Sequence, residues 1–170
     1  AYTIALKHLN SDREMTVLNN ISLVYLRQGK RKESQKHQKR AYDLAVANKD
    51  SVRIALYAGN LADLFNLENN LEKSSYYISV ARPMEMDNVY VQRTLDIAEE
   101  KNFFARKEYD KTIKILNPLL DKLNKPEYND HKISALLMLS KVYEEQKNPE
   151  LGLSLIKQAQ KENLNYSNLP

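Results

Sequence analysis

The sequence predicts an all-α protein built from stacked helix pairs, and three features carry this prediction. The chain has 3 glycines and 5 prolines in 170 residues, so few residues interrupt helices. A column of aromatic residues recurs in steps of 40, 38 and 40 residues: Tyr25, Phe65, Phe103 and Tyr143. A second column, of small or apolar residues, repeats the same steps: Ala41, Ala81, Leu119 and Ala159. A shared period of this length indicates a repeat architecture.

The first helix of each pair is expected to end four residues after its aromatic, at Gly29, Asn69, Lys107 and Lys147. Glycine and asparagine tolerate the left-handed conformation that ends many helices, so the chain can reverse there. After the last of these turns, Asn148 is expected to cap the next helix, with Pro149 at its first position and Glu150 in its first turn.

Apolar residues within each pair follow helical spacing. The first pair presents Leu18, Ile21 and Val24 along one face, and the fourth presents Leu136 and Leu139. Helices of this length are marginal alone, so we expect these faces to be buried against neighbouring helices.

The third repeat departs from this pattern. Acidic residues stand at expected packing positions: Asp96, Glu99 and Glu100. Apolar alternatives lie nearby, at Leu95, Ala98 and Phe104. The first helix of this pair is therefore expected to be rotated or locally irregular. Pro118 falls inside the second helix, where it removes a backbone hydrogen bond and is expected to introduce a kink.

The columns and turns resemble the tetratricopeptide repeat family, in a long-pitch bacterial form. That family pairs antiparallel helices, with an aromatic late in the first and small residues on the second. Its usual pitch is about 34 residues, so longer helices or turns are expected here. The resemblance implies a right-handed α-α superhelix, an all-α solenoid of antiparallel helix pairs. It covers four segments: Met15–Ala45, Ala55–Arg82, Arg93–Asp121 and Ile133–Lys161.

We expect a helix remnant followed by four helix pairs. Ala1–Ala5 aligns with Ala41–Ala45, so residues 1–10 are expected to belong to the second helix of a preceding repeat in a longer protein. Residues 163–170 are polar, end in proline and are expected to form a tail or linker. The pairs are expected within 11–162, at about 12–49, 50–85, 86–125 and 129–162.

The sequence does not favour an enzyme, a cofactor or a metal site. Cysteine is absent, and no glycine-rich phosphate loop, serine nucleophile motif or zinc-protease motif occurs. The adjacent carboxylates Glu99-Glu100 and Glu144-Glu145 point in different directions on a helix and are expected to be solvated. No apolar run is long enough to span a membrane. The histidines lack metal-ligand spacing and are expected to be surface or structural residues: His8, His37 and His131.

Basic residues cluster between Arg27 and Arg40, and the net charge of the chain is +4. Clustered cations can bind nucleic acid or anionic lipid by releasing counterions. No aromatic interleaving or nucleic-acid motif accompanies the cluster in the sequence, so we favour a solvated helix face. The other members of the cluster are Lys30, Arg31, Lys32, Lys36 and Lys39.

Tyrosine is abundant, with 11 residues. Tyr25 and Tyr143 are expected in the repeat core. Tyr76 and Tyr77 are expected to be split, one packing inward and one exposed. Exposed tyrosines suit binding surfaces, because they offer a large contact area at low entropic cost.

The resemblance implies a concave groove lined by the first helices, which in that family receives an extended peptide or a helix. The residues expected to line it are Thr16, Asn19, Asn20, Leu23, Leu26, Leu56, Gly59, Asn60, Asp63, Asn66, Thr94, Ile97, Lys101, Phe104, Ser134, Leu137, Lys141 and Glu144.

Asn20 and Asn60 both stand five residues before the repeat aromatic. In peptide-binding members of the family, asparagines at this place hold the ligand backbone, and a carboxamide suits this because it both donates and accepts. Hydrogen bonding between helices is the alternative role. The family's dicarboxylate clamp for chaperone tails needs several groove cations, and only Lys101 and Lys141 are present, so we do not expect that ligand.

We therefore expect a protein- or peptide-binding scaffold, the interaction or sensor region of a larger bacterial regulatory protein. Two alternatives stay open: a self-assembly module without a peptide ligand, and nucleic-acid binding through Arg27–Arg40. The sequence does not distinguish a cytoplasmic location from the extracytoplasmic part of a membrane-anchored regulator.

Overall fold

The computed structural model describes the backbone of residues 2–84, 88–123 and 128–167, and their side chains except at 2–9, 89, 122 and 165–167. This part of the chain is helical without strands, which confirms the all-α class and its construction from helix pairs. The helices are α1 (Tyr2–Arg27), α2 (Arg31–Ala47), α3 (Ser51–Leu67), α4 (Leu71–Ala81), α5 (Val89–Ala105), α6 (Tyr109–Lys122), α7 (Asn129–Glu145) and α8 (Pro149–Ser167).

The chain divides into two compact units, residues 1–105 and 106–170. Unit 1 contains α1 to α5, and unit 2 contains α6 to α8. The division falls in the turn between α5 and α6, so the third helix pair contributes one helix to each unit. The repeat columns gave no sign of this division, because they continue through it.

The turns lie where the sequence predicted them. Backbone φ is positive at all four positions: Gly29 (74°), Asn69 (57°), Lys107 (62°) and Lys147 (59°). In three of these turns, the next residue donates its N–H to the carbonyl of the repeat aromatic, as in a Schellman motif. The bonds are Lys30 to Tyr25 (2.9 Å), Asn70 to Phe65 (2.9 Å) and Asn148 to Tyr143 (2.8 Å). The sequence missed a further left-handed residue, Lys49 (φ 56°), between α2 and α3.

The core of unit 1 forms where the first helices meet small residues of the second helices. Ala41 and Ala81 are fully buried, as their column predicted, and Phe65 stacks on Tyr77 with 5.6 Å between ring centroids. Leu95 and Ala98 join the same core, so two of the three apolar alternatives in the third repeat pack there.

Gly59 lies at a close approach of α3 and α5 and is buried, which corrects its expected place in the groove. A Cβ at this position would stand 3.0 Å from Thr94 Cγ2 and 3.3 Å from Leu95 Cδ2. The missing side chain therefore lets the two helices pack, and the residue offers no surface to a ligand.

Unit 2 packs α6 and α8 on α7. Leu116, Ala135 and Leu139 form its buried cluster, and Leu119 packs against them half-buried. Pro118 lies inside α6, as expected. The predicted cap of α8 is confirmed, because the Leu151 N–H donates to Asn148 Oδ1 at 3.3 Å and the helix begins at Pro149.

Both ends of the chain differ from expectation. The sequence predicted a break after residue 10, but α1 is continuous from Tyr2 to Arg27. The alignment places Leu9 where Lys49 is left-handed, and α1 continues through that position. At the other end, α8 continues to Ser167, so residues 163–167 are helical. No glycine or proline occurs between Gly152 and Ser167 to stop it. Residues 168–170 lie outside the described chain.

Gln38 is fully buried in α2, and neither its Nε2 nor its Oε1 has a hydrogen-bond partner among the described residues. The corresponding residues of the other repeats are Ile78, Leu116 and Ile156. Because burying an unpaired amide is unfavourable, Gln38 occupies an apolar position at a cost in stability.

Replacing Gln38 by leucine is expected to raise the free energy of unfolding by about 1–3 kcal/mol. Urea denaturation measures this as a higher midpoint at unchanged slope. The same change at the exposed Gln28 is the matched control and is expected to have an effect within about 0.5 kcal/mol. A lower stability of Gln38→Leu would mean that the amide has a partner, such as an internal water, that leucine removes.

The three acidic residues of α5 have different surroundings. Arg82 binds two of them, with 2.6 Å between its Nη2 and Asp96 Oδ1 and 3.0 Å between its Nε and Glu99 Oε2. Glu100 is only 4% exposed, and its Oε2 has no partner in the described chain. The expectation that Glu100 is solvated was therefore wrong. Helical spacing places its side chain on the buried side of α5.

Burial raises the pKa of Glu100 from 4.5 to about 8. Lys101 opposes this increase, whereas Asp96 and Asp63 add to it. The folded chain therefore keeps a proton on Glu100 at a pH where the unfolded chain has lost it. The resulting stabilisation is complete below about pH 4.5 and is lost as the pH rises through about 8.

For the wild type, the free energy of unfolding is expected to fall by on the order of 4 kcal/mol between about pH 5 and about pH 9. Glu100→Gln cannot ionise, so this fall is expected to be absent and the variant is expected to be the more stable protein at high pH. Chemical denaturation across the pH range measures both curves. Glu144→Gln, at an exposed carboxylate, serves as control and is expected to follow the wild type. Parallel curves for wild type and Glu100→Gln would contradict the prediction.

Candidate functional site

The first helices of unit 1, α1, α3 and α5, share a row of polar contacts, and we call the surface around this row the first-helix face. Asn60 Nδ2 on α3 donates to Asn19 Oδ1 on α1 at 3.0 Å. Lys101 Nζ on α5 lies 2.7 Å from Asp63 Oδ1 on α3. Both contacts join neighbouring first helices, and all four side chains are partly accessible to solvent.

The row continues toward the ends of α3 and α5. Asn66 Nδ2 donates to the carbonyl of Ala98 at 2.7 Å. Asn102 Nδ2 lies within hydrogen-bond distance of Asn66 Oδ1 (3.2 Å) and of the Leu71 carbonyl (3.0 Å). The Ser75 hydroxyl donates to Asn102 Oδ1 at 3.1 Å, so Asn102 links α3, α4 and α5.

Asn102 was not among the residues predicted from the sequence, although a signal was present. The corresponding residues of the other repeats are Val24, Leu64 and Val142. An asparagine in an apolar column is expected to be buried with its amide hydrogen-bonded. Asn102 is buried and has such bonds.

Apolar candidates border the row. Leu23 is exposed by 38%. The others are half-buried: Leu26, Leu56, Ile97 and Phe104. The face therefore combines accessible apolar area with side-chain amides and an ion pair.

Asn20 and Asn60 differ in their surroundings. Asn60 is partly buried and bonded to Asn19, whereas Asn20 is exposed. The alternative role, a hydrogen bond between helices, thus applies to Asn60, whose partner is Asn19. Leu137 and Lys141 belong to unit 2, where both are exposed on α7.

The other sequence candidates occupy ordinary places. His37 stacks on Tyr25 with 5.3 Å between ring centroids, His131 is half-buried, and the side chain of His8 lies outside the description. The described residues contain no group of three potential metal ligands, and none of their helices is long and apolar enough to cross a membrane.

The basic cluster is exposed throughout, as expected for a solvated helix face. The predicted split of the paired tyrosines is confirmed, because Tyr76 is 58% exposed and Tyr77 only 8%. Tyr42 and Tyr77 are close to each other, and burial raises the pKa of both hydroxyls.

Comparison with known proteins supports the fold alone. No family model and no curated protein matches the sequence. Among solved structures, the fold is similar to the crystal structure of BtubC (BKLC) from P. vanneervenii, with a TM-score of 0.73 and 14% sequence identity. That similarity covers 94% of this chain and 67% of the BtubC chain. At this identity it supports an architecture of paired helices and carries no function across.

Proposed function

We propose that the chain is a non-enzymatic, protein-binding scaffold that takes an extended peptide on the first-helix face of unit 1. The observation that carries the proposal is the row from Asn19 to Lys101, with accessible apolar side chains beside it. A peptide offers backbone amides at regular intervals and apolar side chains between them, so a surface with both kinds of group is complementary to it.

The exposed asparagine gives this face a group that is available to a ligand. The Asn20 amide can donate and accept at once, as pairing with a peptide unit requires. Asn60 is held by Asn19, and this fixes the position of its side chain. A side chain held in place loses less conformational entropy when a ligand binds.

We place the scaffold in a larger bacterial regulatory protein, as its interaction or sensor region. Support for this part comes from the composition of the chain and from its resemblance to long-pitch tetratricopeptide repeats.

To test the proposal, a displayed random peptide library is selected on the purified chain, and the tightest peptide is measured by fluorescence anisotropy. Asn20→Ala/Asn60→Ala is expected to weaken binding by about tenfold, because two hydrogen-bonding groups of about 0.5–1.5 kcal/mol each are lost. Asn10→Ala/Asn117→Ala changes two exposed asparagines elsewhere and is expected to bind like the wild type.

Urea denaturation of each variant separates lost contacts from lost folding, since Asn60 also bonds Asn19. Unchanged affinity in Asn20→Ala/Asn60→Ala would refute the role of these amides. Selected peptides that bind equally well after Leu23→Asp would exclude the first-helix face as their site.

Self-assembly is a second candidate function, and the apolar surface of α8 favours it. Four of its large apolar side chains are more than a third exposed: Leu151, Leu153, Ile156 and Leu164. Size-exclusion chromatography with light scattering distinguishes the two functions. A stable oligomer that Leu153→Asp/Leu164→Asp dissociates would support assembly, and a monomer that binds peptide would support the scaffold.

A further inference from the structure

A recess opens between α2 and α4 of unit 1, beside α3. Its volume is about 450 Å³, within the range of about 300–1,000 Å³ found for small-ligand sites. Four lysines border it, Lys32, Lys36 and Lys39 from α2 and Lys73 from α4, and we call it the lysine recess. The residues on α2 follow helical spacing, so one face of that helix supplies them.

Most of this charge is uncompensated. Lys39 forms an ion pair with Asp43. The described chain places no carboxylate in an ion pair with Lys32, Lys36 or Lys73. No acidic side chain lines the recess, although Glu68 stands near it and accepts a hydrogen bond from Gln35 at 3.2 Å. The recess is therefore a local concentration of positive charge.

The base of the recess is aromatic. Phe65 and Tyr77 stack with their rings inclined by 7°, and Tyr76 packs edge-on against Tyr77 with 5.2 Å between centroids. Lys73 Nζ lies 5.2 Å from the centroid of Phe65. Tyr76 is mostly exposed, so apolar area is accessible within a ring of cations.

We propose that the lysine recess binds an acidic peptide segment in which carboxylates flank one bulky apolar side chain. The lysines attract the carboxylates, and the apolar side chain packs on the exposed ring of Tyr76. Several separate ammonium groups match several separate carboxylates, whereas a small inorganic anion would leave the aromatic area uncovered. The site is independent of the first-helix face, because it is formed mainly by second helices.

The same features argue against nucleic acid as the occupant. Binding of single strands uses successive exposed rings on which bases stack, but Phe65 and Tyr77 are at most 8% exposed and cover each other. Arginine, the side chain that pairs bidentately with phosphate, is absent from the lining. Two arginines of α2 have partners elsewhere: Arg31 Nη1 donates to the Leu67 carbonyl at 3.1 Å, and Arg40 pairs with Glu14.

The test uses labelled peptides Glu-Asp-Xaa-Glu-Asp, with Phe, Leu or Ser at Xaa, and fluorescence anisotropy on the full chain. The Phe or Leu peptide is expected to bind at least about tenfold more tightly than the Ser peptide. Its affinity is expected to fall as salt rises from about 0.05 M to about 0.5 M, because ions screen the lysines. Binding of labelled oligo-thymidylate is measured in the same way. Inorganic phosphate is added as a competitor to the bound peptide.

Lys32→Glu/Lys36→Glu is expected to weaken binding of the Phe or Leu peptide by at least about tenfold. Lys157→Glu/Lys161→Glu makes the same change in net charge at exposed lysines of α8 and is expected to alter binding by less than about twofold. Tyr76→Ala is expected to abolish the preference over the Ser peptide while leaving the salt dependence. Circular dichroism checks that each variant is folded.

Any one of several outcomes would overturn the proposal. These are no binding of any peptide below about 1 mM, equal binding of all three peptides, equal losses in both double variants, and tighter binding of oligo-thymidylate than of every peptide. Displacement of the peptide by phosphate at a comparable concentration would reduce the site to a general anion site and would also overturn it. Asn20→Ala/Asn60→Ala is expected to leave binding to the lysine recess unchanged. Failure of the proposal for the recess is therefore distinguishable from failure of the proposal for the first-helix face.

Discussion

The left-handed turn that closes the first helices is the constraint on which the rest of the structure depends. The carbonyl of the repeat aromatic accepts a hydrogen bond from the residue five positions later, as Tyr25, Phe65 and Tyr143 do. Residues in between must therefore leave helical geometry, and one of them takes positive φ. Because the aromatic backbone forms the turn, its ring has a fixed place relative to the following helix. This coupling explains why ring, turn and small residue keep the same spacing.

The sequence could predict these features because each depends on one residue type at one spacing. Gly29 and Asn69 identified their turns, and Ala41 and Ala81 identified where helices approach closely. Helix ends without such a residue were less predictable. Leu9 aligned with the left-handed Lys49, but α1 continues through Leu9 without a turn. Whether a residue other than glycine adopts positive φ depends on its surroundings, which the alignment does not show. The candidate site was predicted in part: its members other than Asn102 were named, but the partner of Asn60 depends on how α1 and α3 approach, which spacing does not specify.

Positions at which one repeat departs from the residue type of the others indicate where the chain has a special contact or a cost in stability. Three buried polar residues stand where other repeats have apolar or small ones: Gln38, Glu100 and Asn102. Asn102 has several hydrogen-bond partners and links three helices. Among the described residues, Gln38 and Glu100 have buried atoms without partners, so each lowers stability under some condition. A polar residue in an apolar column therefore indicates either a satisfied network or a stability cost, and only the structure decides between them.

Both proposed binding surfaces depend on α3. Asn60 and Asp63 belong to the first-helix face, and Phe65 lies at the base of the lysine recess. This helix has eight buried residues, and Gly59 allows its close contact with α5. A firmly packed helix positions side chains more precisely than a loop does. Because different sides of α3 support the two surfaces, their charge and apolar character can differ while their relative position stays fixed. Changes that loosen α3 would affect both surfaces, whereas changes on the exposed face of α2 would affect the recess alone.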